Sequence, residues 1–189
     1  MAQGKVVIFS APSGSGKTTI VQALLKILPN LEFSISATSR APRGAEQHGR
    51  DYYFMTAAEF AEAIAGDMFV EYEEVYAGTH YGTLRSEVER IWAADNVIIF
   101  DVDVMGGINL KRIFGDAARS IFIMPPSVEE LRRRLIGRGT DAPDVIERRV
   151  AKAEFEIEKA PLFDAVVVND DLQTAIEEAR QIVEDFIAR

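Results

Sequence analysis

The chain has 189 residues, 48% hydrophobic and 27% charged, the balance of one globular domain rather than of a disordered or fibrous protein. It contains no cysteine, which excludes disulfides, thiolate zinc sites, iron–sulfur clusters and thiol nucleophiles together. Thirty acidic against 21 basic residues give a formal net charge of −9, unsuited to sequence-independent binding of nucleic acid, and no apolar run approaches the roughly 20 residues of a membrane span. Met1 to Lys5 runs straight into a strand-like segment with no signal-peptide core, so the expectation is a cytoplasmic protein without nucleic-acid or membrane partners.

In chain order, Val6-Val7-Ile8-Phe9 is the first of four near-continuous apolar runs, with Val97–Phe100, Ile121–Ile123 and Val166–Val168; Phe33-Ser34-Ile35-Ser36 is a shorter candidate for a fifth strand. Such runs mark strands buried on both faces of a parallel sheet. Between them lie helical patterns: Thr18 to Leu28, stopped by Pro29; a helix opened by a Ser127-Val128-Glu129-Glu130 capping box and closing near Gly137; a polar helix over 144–160, ended by Pro161; and a C-terminal helix over 172–187. This alternation predicts a doubly wound α/β fold. Residues 49–81 break it. Tyr52-Tyr53-Phe54, a helix begun by a Thr56–Glu59 capping box, and Phe69–Tyr72 read as an inserted subdomain with mixed or antiparallel strands. The arginine-rich stretch over 131–150, with Gly137 and Gly139, reads as a second, mobile insertion.

Ala11-Pro12-Ser13-Gly14-Ser15-Gly16-Lys17-Thr18 follows the first strand and precedes the first helix. It matches G-x-x-x-x-G-K-[ST] except that Ala11 replaces the first glycine, at the expense of some backbone freedom. Such a loop turns backbone N–H groups toward phosphate oxygens, and the helix behind it adds its partial positive charge. Residues Ala11 through Thr19 are therefore the candidate contacts for a nucleoside triphosphate, which the resemblance below makes ATP. Lys17 would reach the β- and γ-phosphates and Thr18 would ligate Mg²⁺. Asp101, closing the Val97–Phe100 strand, would approach the Mg²⁺, with Asp103 two residues on; both could equally cap the next helix. Basic residues gather in two islands. Six arginines face three acids between Leu131 and Val150, and Arg40, Arg43 and Arg50 form the other, a pattern suited to compact anion sites.

Ser36-Ala37-Thr38-Ser39-Arg40-Ala41-Pro42-Arg43-Gly44 resembles the signature of the guanylate kinase family. His48 to Phe54, Phe69-Val70-Glu71, Tyr81-Gly82-Thr83, Asp101-Val102-Asp103, Gly137 to Thr140 and Val168 to Asp171 follow in the family's order, so the resemblance runs from about Gly4 to Phe186. It implies a P-loop nucleoside monophosphate kinase fold, a parallel sheet core flanked by helices with two inserted subdomains. The core would be 1–35, 84–124 and 160–189, the GMP-binding insertion about 36–83 and the lid about 125–159. It implies Mg-dependent transfer of the ATP γ-phosphoryl group to GMP, with ATP and GMP as partners. By motif, Arg40, Arg43, Tyr52 and Tyr81 would hold the GMP phosphate, and Ser36, Glu71, Thr83 and Asp103 would read guanine. Lys17, Arg134, Arg138 and Arg149 would act on the transferring group. Ser39, Met105 and Ala11 depart from the usual pattern, none at a position with a charge role.

The chemistry asks for such residues. The attacking oxygen belongs to an anionic phosphate, so alignment and positive charge matter more than a general base. Arginine's planar fork binds phosphate bidentately, although Arg132, Arg133 and Arg134 on one turn cannot all face one way. Guanine presents N1–H and an N2 amine side by side, and a carboxylate accepts from both. Glu71 and Glu73 share a strand face while Glu74 points away. A loop left open would spend ATP on water, so 125–150 is expected to close. His48 and His80 read as surface or supporting residues, and Trp92 as core. Two other readings remain, a catalytically dead interaction module of the same family and a same-fold kinase of a ribose phosphate. Retained Lys17 and Thr18 speak against the first, and the Ser36/Glu71/Asp103 set against the second.

Overall fold

The computed structural model describes residues 4–76, 78–137, 139 and 142–189, with residues 75 and 76 described by backbone alone. In chain order the elements are β1 (Val6–Ser10), α1 (Lys17–Ile27), β2 (Leu31–Phe33), β3 (Ala37–Thr38), β4 (Tyr53–Phe54), α2 (Ala57–Ala65), β5 (Phe69–Tyr76), β6 (Thr79–Leu84), α3 (Arg85–Ala93), β7 (Val97–Val102), α4 (Val104–Phe114), β8 (Ala118–Met124), α5 (Val128–Gly137), α6 (Pro143–Ile157), β9 (Ala165–Val168) and α7 (Leu172–Ile187).

Five strands form a parallel sheet in the order β2-β7-β1-β8-β9. Alternate residues of each strand face opposite sides, so the apolar runs feed two cores. Val7, Phe9, Ile99, Ile121 and Ile123 pack under α1 and α7, while Val6, Ile8, Ile98 and Phe100 pack with residues of α3 and α4. β1 lies between β7 and β8, and the chain leaves it toward β2 on one side and reaches β8 on the other. The crevice beyond its carboxyl end is thus a topological switch point, where open α/β sheets bind ligands.

A second sheet, β4-β3-β6-β5, is mixed: β3 and β4 run parallel, and the other pairs are antiparallel. It has its own small core of Ala37, Phe60, Ala63 and Phe69, and α2 starts with the full Thr56–Glu59 capping box expected from the sequence. Helices α5 and α6 form a third packed unit around Leu131, Leu135, Ile146, Val150 and Ala153.

Several features differ from the sequence reading, among them the polar helix expected over 144–160, which is Pro143–Ile157. The strand expected over 33–36 is Leu31–Phe33, because the Ile35 amide leaves the ladder to donate to Glu87 Oε1 at 3.0 Å. β7 runs on to Val102, so Asp101 lies inside the strand rather than closing it. At the start of α5, Ser127 Oγ accepts from the Glu130 amide at 3.0 Å, but the Glu130 carboxylate takes Arg133 and Arg134. Two cationic forks outcompete one backbone N–H for a carboxylate.

Glu87 ties the second sheet to the first. Buried at 1% exposure, it accepts from the Ile35 amide, from the Tyr53 hydroxyl at 2.9 Å and from Arg90 at 2.9 and 3.0 Å. Burial alone would raise its carboxyl, but these donors outweigh it and hold the group below its ordinary value. Glu87→Ala should therefore cost on the order of 3 kcal/mol in urea unfolding with an unchanged m-value, since it strands buried donors around a void. A cost below about 1 kcal/mol would mean that solvent replaces the carboxylate.

Candidate active site

The loop after β1 turns twice through left-handed backbone, at Gly14 (φ 99°) and Gly16 (φ 87°), which only glycine adopts without strain. Gly16 is further constrained by close approach. A Cβ there would lie 2.3 Å from Asn169 Nδ2, which donates to Ser15 O at 2.7 Å. Asn169, just past β9, thus braces the loop from behind, and the sequence reading assigned it no role. Ala11 does not adopt a positive φ, so the missing first glycine costs the backbone nothing, contrary to the sequence expectation.

Lys17 and Thr18, at the start of α1, meet the end of β7. Lys17 Nζ donates to Val102 O and lies 2.6 Å from Asp101 Oδ1, and Thr18 Oγ1 donates to Asp101 Oδ2 at 3.1 Å. Asp103 caps α4, with Oδ1 accepting from the Gly106 amide at 2.7 Å, and it also lines two clefts. The cap does not take Asp103 out of the cleft walls.

The first cleft, about 370 Å³, is walled by loop residues 11–19, by Asp101, Val102 and Asp103, and by Arg149, Lys152 and Glu156 of α6. Lys152 and Glu156 were not anticipated, although they lie three and seven residues beyond Arg149 on one helix face. Burial pushes the Glu156 carboxyl up, partly offset by Lys152 at 3.4 Å.

The second cleft, about 360 Å³, brings together Ser36, Tyr52, Glu71, Glu73, Tyr81 and Thr83, again with Asp101, Val102 and Asp103. Thr83 Oγ1 donates to Glu71 Oε1 at 2.7 Å. Burial pushes the Glu71 carboxyl above its ordinary value; the Thr83 hydroxyl opposes this and the neighbouring Glu73 charge adds to it. Glu74 turns away, accepting from the Gly78 amide at 2.7 Å.

Arg40 sits at the edge of this cleft. Its Nε donates to Tyr81 Oη at 3.1 Å, its guanidinium lies 4.9 Å from the Tyr52 ring centre, and Glu46 binds it in a two-pronged pair at 2.7 and 2.9 Å. The pair holds Glu46 down at about 2 and raises Arg40. Glu46 also went unassigned in the sequence. A carboxylate here has the same planar complement to the fork that a phosphate face would have.

Not every sequence candidate joins the clefts. Arg43 is exposed, and its amide donates to Glu46 at 2.8 Å. Arg134 donates to Glu130 and, at 3.0 Å, to Asn169 O, so it stands behind the loop rather than on the wall of either cleft. Arg132 reaches Glu147 of α6 and Arg133 is largely exposed, in line with the expectation that one helix turn cannot aim three arginines at one place. Arg138, with Thr140 and Asp141, lies outside the described residues. His48 Nδ1 accepts from the Phe54 amide, His80 packs on Phe60, and Trp92 lies against the β1/β7 core.

Comparison with known proteins agrees with this geometry. The guanylate kinase family profile matches residues 3–186. Guanylate kinases of Bacteroides fragilis and Porphyromonas gingivalis are each 56% identical, over 185 and 186 residues; each alignment covers 98% of this chain, and 91% and 99% of those proteins. The crystal structure of guanylate kinase from Anaplasma phagocytophilum superposes with a TM-score of 0.74 at 30% identity, over 98% of this chain and 87% of that one. With a phosphate loop at the switch point and a second cleft opening from the same strand end, the chain belongs to the guanylate kinase family.

Proposed function

We propose a division of labour among these residues for the reaction of the family, transfer of the γ-phosphoryl group of ATP to GMP. The chain is a nucleoside monophosphate kinase, an ATP:GMP phosphotransferase. One observation carries the assignment: the phosphate-loop cleft and the Glu71 cleft share a wall at Asp101, Val102 and Asp103. Two nucleotides seated in them meet tail to tail where Lys17 stands.

The first cleft takes ATP, with Ala11 to Thr19 around its phosphates. The loop amides and the α1 terminus hold anionic oxygens, and Ser15 Oγ, buried with no hydrogen-bond partner among the described residues, is a further polar atom available to them. Thr18 and Asp101 suit Mg²⁺, since a hydroxyl and a carboxylate already converge at 3.1 Å and this ion commonly takes one or two protein oxygens beside substrate phosphates. When bound, the ion neutralises charge on the phosphates. Lys17 exchanges its contacts with Asp101 and Val102 for phosphate oxygens. Arg149 faces the same cleft from α6, and Arg134 acts through Asn169 and the loop.

The second cleft takes GMP. Glu71, oriented by Thr83, accepts from N1–H and the N2 amine, with Ser36 and Asp103 around the base. Arg40, Tyr52 and Tyr81 hold the acceptor phosphate, which displaces Glu46 from Arg40, and Arg43 is carried in only with closure. The stretch 36–83 thus serves as the acceptor-binding insertion and 125–159 as the lid. The separate cores of the second sheet and of the α5–α6 pair allow each to move as a body. The enzyme works in the cytoplasm.

A coupled assay of ADP release with GMP, AMP, UMP and ribose phosphates tests the reading. GMP should exceed AMP in kcat/KM by at least roughly a hundredfold. Equal rates with AMP would end it.

A further inference from the structure

Four carboxylates face the acceptor cleft, and three of them are engaged. Asp101 holds Lys17 and Thr18, Asp103 caps α4, and Glu71 accepts from Thr83. Glu73 lines the same cleft, is exposed to it, and has no hydrogen-bond partner among the described residues.

Its position along the strand pair gives it a distinct neighbour. β5 and β6 are in regular register here, with Glu71 opposite Thr83 and Glu73 opposite Tyr81. Glu71 and Glu73 point to the same face about 7 Å apart. One end of the cleft is the base-reading pair Glu71–Thr83. The other is the phosphate-holding group, Tyr81 with Arg40 on its hydroxyl and Tyr52 beside it. Tyr81 carries its hydroxyl well beyond the reach of the shorter Glu73 side chain, so Glu73 faces the space between the two ends. In a nucleoside monophosphate the sugar occupies that space.

We propose that Glu73 accepts hydrogen bonds from the ribose 2′,3′-diol of the acceptor and so selects ribonucleotide over 2′-deoxyribonucleotide, a role that rests on the seating of GMP in this cleft. An acidic side chain on vicinal ribose hydroxyls is a recurrent way to recognise that sugar, because a carboxylate offers two acceptors and the diol two donors. No competing donor has to be displaced.

The test compares kcat/KM for GMP and 2′-deoxy-GMP in the wild type, Glu73→Ala and Glu73→Gln, with AMP as a base control. The wild type should favour GMP over 2′-deoxy-GMP about tenfold, the value of a hydrogen bond to a charged group. In Glu73→Ala the ratio should fall to about one through loss of GMP turnover, with 2′-deoxy-GMP unchanged or improved and the KM for ATP unchanged. Glu73→Gln, which keeps one acceptor, should fall between. A ratio in Glu73→Ala within about twofold of the wild type, or equal losses with both nucleotides, would overturn the ribose assignment while leaving the base reading in place. A wild type that fails to prefer GMP over AMP would overturn the seating of GMP, and this proposal with it.

Discussion

Lys17→Ala should lower kcat by about 10³-fold, roughly 4 kcal/mol of transition-state stabilisation. The size follows from where the ammonium stands. Its Nζ already spans the end of β7, bonded to Val102 O and 2.6 Å from Asp101, at the wall common to both clefts. In the proposed seating of the two nucleotides, charge builds on the transferring oxygens at that point. No other side chain at the phosphate loop carries a positive charge, and Arg149 and Lys152 approach from a different element. ATP affinity should fall much less than kcat, because the loop amides and the α1 terminus remain. Stability should fall by only about 1 kcal/mol, since Asp101 keeps the Thr18 hydroxyl when its mostly buried pair with Lys17 is lost. Single-turnover phosphoryl transfer measured beside ATP binding separates the two effects. Activity within tenfold of the wild type would remove Lys17 from the chemical step.

Glu71→Gln should cut kcat/KM for GMP by two to three orders of magnitude, and the preference for GMP over IMP should collapse toward one. A carboxylate accepts from both guanine donors, whereas an amide presents one acceptor and sets its own N–H₂ against the other. IMP lacks the N2 amine, so it loses less. The fold acts as an internal control. Burial raises the Glu71 pKa in the folded state, so an unfolded chain releases this proton at lower pH and the ionised group costs stability near neutrality. Replacing it by a neutral amide should leave the urea midpoint unchanged or raised while specificity is lost. The same shift predicts that GMP affinity weakens on acidification from a higher pH than an ordinary carboxylate would give. If GMP turnover survived in the variant and ATP binding fell, Glu71 would belong to the donor side.

The first prediction rests on residues that a local pattern picks out, whereas Glu71 was singled out from Glu73 and Glu74 by its place in the family signature. Gly14, Gly16, Lys17 and Thr18 act through a contiguous turn, so their spacing carries their chemistry, and the φ values of the two glycines follow from that turn. The buried strands were legible because a parallel sheet covered on both faces demands unbroken apolar runs. α7 was legible to the residue because an Asp171 cap and a long apolar face enclose it. The insertion was visible as a break in the alternation, but β3 and β6 were not. β3 has two residues, and β6 (Thr79–Leu84) lacks an apolar period, its strand state coming from pairing with β5. Lys152 and Glu156 could have been found by continuing the helix face from Arg149. Asn169, Glu46 and Glu87 could not. Each acts through a contact with a residue distant in sequence or across a turn: Ser15 for Asn169, Arg40 for Glu46, and Ile35 and Tyr53 for Glu87.

By itself, then, the sequence settled what depends on neighbours within a few residues: the class of fold, the phosphate loop, the limits of α7 and the chemistry on offer. Which charges face a nucleotide was decided only by packing. Arg40, Arg43 and Arg134 are alike as letters, yet one stacks on Tyr52 at the mouth of a cleft, one is exposed, and one braces a loop. A guanidinium's role is set by which carboxylate, ring or carbonyl reaches it first. Those partners come together only when the two sheets and the α5–α6 pair are assembled around the carboxyl ends of β1 and β7.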